Sequence, residues 1–599
     1  MEYYLLLIET SGNQSYLFDT NRLKENVGAS QLTYLAGTRF VLEAIADSQV
    51  VQEAITPKLW SEDPKALRKN ILNHSTQVDL PIQVIVATSG KAILLVPSRQ
   101  VGKNIIAYVT EKSLQEAPGL DICGVVSEQT VDLESDDIHQ SIKNIHQQIL
   151  SVRATYPGSI TRFPVSPITA LCASSSLPAW GLEKNKQRQT KIQGALISRA
   201  CQAKQDHYRS WLMRLNKILQ SYPAAMDYST LYHEGNIDKF FEKDEQSGWR
   251  AVVHADGNGL GQIFLRFDQY IGTPPQGESK NIYYINMLRR FSIELEEVTE
   301  KSFCDALCVL EPKAKRGQHK SMLPIIPLVL GGDDLTVICD GSYALEFTRV
   351  FLQQFEYYSR ISETISQLTN QSGLAACAGV AISKAHFPFS NAYTLAEQLL
   401  KSAKQVKQKV IRKSQENVNN KGTEPLPCSA LDFHVLYDTS FTNLEDIRKR
   451  LEYEDRVLTT KPYVVTTWTE LELADVEDPA WVRQHDVRKL IARIMDLDER
   501  HNGRRLLSST QMHQIREALF ISREEANARF SFLQPPLQLD SLTTQRFNGL
   551  KDSLAEQDND LFRENGKQKG ETAFLDALEA IEFWAINTYS RADTKDEAI

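Results

Sequence analysis

The run Gly331-Gly332-Asp333-Asp334 stands between two short apolar stretches, IIPLVL over 325–330 and LTVIC over 335–339. Apolar strands flanking a tight polar turn read as a β-hairpin. Two adjacent carboxylates repel each other, and partial burial makes them costly unless a cation neutralises them. Gly331 and Gly332 remove side-chain bulk, so a phosphate or a strand end can approach the backbone. A third carboxylate, Asp256, ends the strand-like run WRAVVHAD over 249–256. With that strand central and beside the hairpin, all three acids meet at one sheet edge.

Such a set suits hard divalent cations, which take oxygen ligands from one or two carboxylates plus substrate phosphates. Two ions, Mg²⁺ or Mn²⁺, would suffice for nucleotidyl transfer, one activating the attacking hydroxyl and the other stabilising the leaving pyrophosphate. Positioning and electrostatics then supply the catalysis, with no nucleophilic side chain needed. Asp256, Asp333 and Asp334 are thus expected both as catalytic residues and as metal ligands. The small residues Gly257, Asn258 and Gly259 after Asp256, with Gly331 and Gly332, are expected to bring backbone N–H groups to phosphates. Lys404, in the run Leu400-Lys401-Ser402-Ala403-Lys404, is a candidate to approach the triphosphate. The competing readings are a merely acidic turn and a solvated lysine; Lys384 and His386 read as surface residues.

The order of elements around these motifs is β-α-β-turn-β-α-β-α: strand 249–256, helix 281–302, the hairpin, helix 342–367, strand 374–383 and helix 390–413. A mixed sheet with helices on one face is the natural layering. Residues 3–8 and 83–96 are strand-like, the latter broken by the turn signal Thr88-Ser89-Gly90-Lys91. Helices are expected over 31–48 and 136–155. This repeats the pattern of an N-terminal strand and a later hairpin with a polar turn, and suggests duplication. Residues 156–182 read as a loop and 183–219 as a long polar helix. Between 181 and 220 stand nine Lys or Arg against two Glu or Asp, which is a solvated face or a surface for an acidic partner. A linker is expected at 414–428, and helices dominate beyond 441, clearest at 483–500, 509–530 and 571–588. The end, RADTKDEAI, reads as frayed.

Net charge is −9 over 599 residues, which argues against a uniformly basic nucleic-acid binder while leaving local patches open. None of the eight cysteines forms a C-x-x-C pair, so the usual structural zinc spacing is missing and buried thiols are expected. No run approaches 18 apolar residues, and the chain reads as a cytoplasmic protein with no membrane span.

Six stretches resemble the large polymerase/cyclase subunit of type III CRISPR effector complexes: VVHADGNGLGQIF (252–264), LVLGGDDLTVIC (328–339), CAGVAISKAHFPFSNAYTLAEQLLKSAK (377–404), SALDFHVL (429–436), TTKPYVV (459–465) and, near the N-terminus, QSYLFDTNRLKENVGASQL (14–32). The resemblance implies an α+β chain of two ferredoxin-like palm domains, a small intervening domain and a C-terminal helical domain. The boundaries expected are 1–155, 156–247, 248–413 and 429–599. It further implies ATP as substrate, a cyclic oligoadenylate as product, and RNA and other effector-complex subunits as partners. Carried over residue by residue, Asp256, Asp333 and Asp334 resemble the metal ligands, Gly331 and Gly332 the turn that admits ATP, and Lys404 the helix lysine near phosphate. The chain departs from the family pattern in three places. It starts directly at the palm, where relatives often carry an HD nuclease domain, and its one His-Asp pair is His485-Asp486. The first palm has Glu9-Thr10 and Thr88-Ser89-Gly90-Lys91 where acids would be needed, so it is expected to be an inactive second wall of the ATP pocket. Of the cysteines of the intervening domain, only Cys172 stands in LCASSSLPA. The alternatives are a cyclase using GTP, like the GGDEF enzymes, and a silent scaffold subunit of an RNA-guided complex.

Overall fold

A computed structural model describes residues 2–47, 59–74, 81–156, 158, 161, 163, 165–183, 194–228, 248–310, 325–413, 425–437, 443–501, 504–533, 541–556, 560–564 and 569–584. Residues 414–424 of the linker expected over 414–428, residues 184–193 of the expected polar helix, and the chain end beyond 584 lie outside the described residues.

Two sheets are built on one plan. In the first, β1 (Glu2–Ser11), β2 (Gln83–Thr88), β3 (Lys91–Val96) and β4 (Asp121–Val126) lie in the order β2-β3-β1-β4, all antiparallel. Helices α1 (Asn13–Phe18) and α2 (Leu23–Gly37) follow β1, α3 (Arg99–Glu116) joins β3 to β4, and α4 (Ile138–Thr155) follows the sheet. Two short helices, α5 (Arg199–Asp206) and α6 (Tyr208–Ser221), lead towards the second sheet. There β5 (Trp249–Asn258), β6 (Ile325–Gly331), β7 (Asp334–Asp340) and β8 (Ala375–Lys384) repeat the arrangement as β6-β7-β5-β8. The short α7 (Leu260–Leu265) and the long α8 (Lys280–Ala306) follow β5, α9 (Gly341–Ile361) joins β7 to β8, and α10 (Phe389–Ala403) follows β8. Strands β9 (Ala430–Val435), parallel to β8, and β10 (Tyr463–Val464) extend this sheet. Both sheets therefore have the ferredoxin-like strand order of a palm, and the chain is a double-palm α+β protein. The expected repeat is present as topology, although the sequences match poorly.

Local chemistry explains the strands that frame the site. β8, AACAGVAISK, is buried at every position but its last and is rich in small residues because α10 lies directly on it. A Cβ at Gly379 would stand 2.1 Å from the Ala396 carbonyl oxygen. Pro327, which has no N–H to give, sits in the edge strand β6 beside a register shift between Thr336 and Val337, where the ladder spares a donor. On α9, Phe347, Phe351 and Phe355 recur every four residues on one fully buried stripe.

Several expected boundaries are corrected. The helix expected over 31–48 begins at Leu23 and is interrupted at Thr38, and a second helix runs over Arg39–Asp47. The helix expected over 342–367 ends at Ile361, with a separate turn Glu363–Leu368 after Ser362. The 183–219 segment is not one helix: α5 starts at Arg199, and His207 separates it from α6. Nor is its basic character only solvated. Lys204 Nζ is buried against the Tyr16 carbonyl (2.6 Å) and Asp19 (2.7 Å), and Arg214 donates to the Leu330 carbonyl (2.7 Å). Helix α3 and strand β4 were not expected. Beyond 441 short helices dominate, such as Val487–Leu497, Ser509–Ile521 and Arg523–Ser531. Seven cysteines are buried as expected, whereas Cys308 is exposed. Among the described residues no helix is long and apolar enough to cross a membrane.

Candidate active site

β5 and β7 are neighbours, and their register pairs Ala255 with Leu335. One residue further out, Asp256 and Asp334 face each other across the ladder. The turn itself is two residues, Gly332 and Asp333, because Gly331 and Asp334 already pair. Gly332 holds φ at 63°, which a side chain disfavours, and its carbonyl accepts from Thr299 Oγ1 at 2.6 Å. Asp333 folds back against Gly257: a Cβ on that glycine would lie 2.7 Å from Asp333 Oδ2 and 2.2 Å from Leu260 Cδ1. Asp333 also lies within hydrogen-bonding range of Asp256. The structure thus brings the three expected acids together.

Their electrostatics are those of crowded carboxylates. Burial, then the charges of Asp256 and Asp334, raise the Asp333 carboxyl above its ordinary range. Burial and the Asp256 charge push Asp334 up to about 8, against a pull from Lys404. Lys404 stands at the C-terminal end of α10, not mid-helix, where its ammonium hydrogen-bonds Asp256 and also donates to the Gly257 carbonyl (3.2 Å). Asp334 Oδ1 is buried and accepts no hydrogen bond; His254 Nδ1, whose imidazole burial holds below its ordinary range, lies 3.5 Å away. Among the described residues no group of three His, Cys, Asp or Glu side chains is already arranged to hold a metal ion. The donor set nevertheless fits hard cations: oxygen ligands, mutual repulsion, and one acceptor left without a partner.

The small residues take distinct places. Asn258 ends β5 and donates to the Cys428 carbonyl (3.2 Å), while its Oδ1 is buried without a partner. Gly259, with φ at 86°, caps α7. Gly331 faces the other palm, for a Cβ there would lie 3.8 Å from Ser89 Cβ. The two hairpin tips therefore meet across a cavity of about 700 Å³ whose walls come from both palms. The first palm forms its second wall.

At the equivalent edge of the first palm, Glu9 pairs with Lys91 in the ladder, where the second palm sets Asp256 opposite Asp334. Lys91 Nζ lies 3.2 Å from Glu9, which Arg153 also grips at 2.8 Å, and 2.8 Å from His146 Nε2. A built-in ammonium occupies the position of the second acid. Two contributors had no signal as a motif. His254 bonds Thr336 Oγ1 (3.0 Å) and borders Asp334; strand alternation alone would have put it on the face of Asp256. Tyr393 packs, tilted, between His254 and Phe18 of the first palm, with ring centroids 5.2 and 4.1 Å away.

Other singled-out residues are placed elsewhere. Lys384 covers the Trp249 ring at 3.8 Å and His386 is exposed. His485 donates through Nδ1 to the Trp481 carbonyl (2.9 Å), and Asp486 caps the helix Val487–Leu497, so the pair serves structure. Cys172 is not alone: its Sγ lies 3.8 Å from that of Cys201, with Ser174 between them.

Fold and site together define a palm protein whose hairpin acids stand in the second palm only. Residues 250–411 match the family of the Cas10/Cmr2 second palm domain, and the chain is Cas10-like in this part. No curated protein matches the chain. Among solved structures, a Csm1–Csm4 cassette in complex with AMPPNP is similar at 12% identity and a TM-score of 0.47, over 98% of this chain and 70% of that one. Csm1 in T.onnurineus is similar at 10% identity and a TM-score of 0.45, with the same coverage of each.

Proposed function

We propose that this chain is a metal-dependent nucleotidyltransferase that joins ATP into a cyclic oligoadenylate-type messenger, in antiviral defence of the type III CRISPR kind. The carrying observation is the meeting of Asp256, Asp333 and Asp334, with an orphaned Asp334 oxygen, at the edge of a cavity closed by two palms. The match of residues 250–411 to the Cas10/Cmr2 second palm supports it. Asp256, Asp333 and Asp334 would hold two Mg²⁺ or Mn²⁺ ions, which supply charge neutralisation and hydroxyl activation when bound.

The chain's own residues do the positioning. Gly257 lets Asp333 lie on the β5 backbone, and Gly331 and Gly332 leave the turn open to phosphates. Lys404 holds Asp256 in the free protein and is placed to balance phosphate charge once nucleotide enters. In this reading 1–155 is a palm whose hairpin lacks the acid pair, 156–247 an intervening domain, 248–413 the acting palm and 429–599 a helical domain. RNA and effector-complex subunits are the trigger and partners, in the cytoplasm.

The test is labelled ATP with the purified chain, Mg²⁺ or Mn²⁺, with and without RNA, products read by mass spectrometry. Pyrophosphate and cyclic oligoadenylate are expected, falling roughly a hundredfold or more in Asp333→Ala/Asp334→Ala. Release that survives the double substitution overturns the site. A GTP-derived product would make it a cyclase of another kind, and assembly with partner subunits without any turnover would make it a scaffold.

A further inference from the structure

We infer that Asn13 and Gln14, in the first palm, read the base of the nucleotide whose phosphates face the second palm's acids. The inference deepens the proposed function and rests on it for the identity of the ligand as a nucleotide. Shared topology makes the cavity two-ended. After β1, Gly12 (φ 62°) caps α1; after β5, Gly259 (φ 86°) caps α7 at the equivalent place. Both helices line the cavity, but α1 presents Asn13 and Gln14 where α7 has Leu260 and Gly261.

The α1 end is the acid end. Phe18 on α1 packs against Tyr393 (4.1 Å), Tyr393 against His254 (5.2 Å), and His254 borders Asp334 (3.5 Å). Gln14 hydrogen-bonds the Tyr393 side chain. Asn13 Oδ1 is buried and accepts no hydrogen bond, although its residue lines the cavity. A buried acceptor without a partner is costly, and a ligand donor would satisfy it.

The chemistry of the corner selects a base. A carboxamide donates and accepts side by side and matches adenine, which offers an amino donor beside a ring-nitrogen acceptor. On its N7/O6 edge guanine instead offers two acceptors, which ask for a cationic fork. Among the described residues no arginine lines the cavity, and of its two lysines, Lys91 and Lys143, the first is engaged by Glu9 and His146. The rings of Phe18 and Tyr393 supply an apolar face for stacking. At the opposite end the α7 residues that line the cavity, Gly261, Phe264 and Leu265, carry no amide, so the two ends do not read a base alike.

The experiment is titration of the full chain, with Mg²⁺, against non-hydrolysable analogues of ATP and GTP, in wild type, Asn13→Leu and Gln14→Ala. Wild type should prefer the adenine analogue. Each substitution should reduce that preference by roughly tenfold, through weaker adenine binding with guanine binding unchanged. Asn13→Asp, which alters charge with little change of shape, carries the same expectation should Asn13→Leu fail to fold. An unchanged ratio, or no preference in wild type, overturns the inference even if ATP is turned over. Preference that tracks Asn13 and Gln14 in a protein releasing no pyrophosphate upholds it while the proposed function fails. A wild-type chain that binds neither analogue sinks both.

Discussion

At the scale of single residues, the acid edge is a balance between carboxylates and one neighbouring ammonium. Lys404 and Asp256 are both partly exposed, so their pairing is worth about 1 kcal/mol or less to the free protein. Lys404→Met should cost about that much stability in chelator, and should enlarge the upward shift in melting temperature caused by Mg²⁺, because the acids then lack their resident cation. Thermal melts across a Mg²⁺ series check it; an unchanged or smaller shift would mean that the lysine and the metal do not compete. Gly257→Ala acts differently. Its new methyl would press on Asp333 Oδ2 and Leu260. Nucleotidyl transfer should fall about tenfold or more with little change in the urea midpoint, because a small misplacement of a reacting group is costly.

At the scale of elements, close packing and buried histidine set the sensitivities. Gly379→Val on β8 would drive side-chain atoms into the α10 backbone, whose Ala396 oxygen already stands 2.1 Å from an ideal Cβ. Destabilisation of about 3 kcal/mol is expected, at the upper end for overpacking, read as a fall in the urea midpoint. His485, buried and stacked on Trp481, has its imidazole lowered to about 4, first by burial. The folded state therefore binds fewer protons than the unfolded one between about pH 6.5 and 4, and stability falls as pH drops through that window. On this residue's account the loss from pH 6.5 to 5 is about 2 kcal/mol. Urea midpoints at pH 7 and 5 should converge partly in His485→Gln. Elements with a strong period and a clear stop were legible: the hairpins at 83–96 and 325–340, strand β5 and helix α8. Helix α3 was not, because it buries one narrow stripe, Val101, Ile105 and Val109, on an otherwise polar surface. The three acids could be read because their cost demands a reason. Asn13, Gln14 and Tyr393 could not, since only the closure of one palm on the other gives them a common site. Lys404 was a candidate from its helical run as well as by resemblance, but its position at a helix end is set by the turn that follows.

At the scale of the molecule, buried arginines lock the two palms. Arg68, in the helix Pro64–His74, grips Glu300 at 2.6 Å and Glu296 at 3.4 Å on α8, all three nearly inaccessible. Arg289 on α8 returns the contact through its Nε to the Val84 carbonyl of β2 (2.7 Å). Arg68→Met would leave two glutamates buried without their cation, and a loss of about 3–5 kcal/mol is expected. Calorimetry should show one unfolding transition in wild type and a lowered or split one in the variant.

The pair of Glu9 and Lys91 carries a different implication. An ammonium fixed by a covalent stem cannot be stripped by a chelator or diluted away, as a dissociable ion can. The jaw built on the first palm therefore keeps its charge balance in any buffer, while the opposing jaw changes its own with divalent supply. Grip and reaction are in this way separable: in excess EDTA an ATP analogue should remain attached, weakly, while turnover stops.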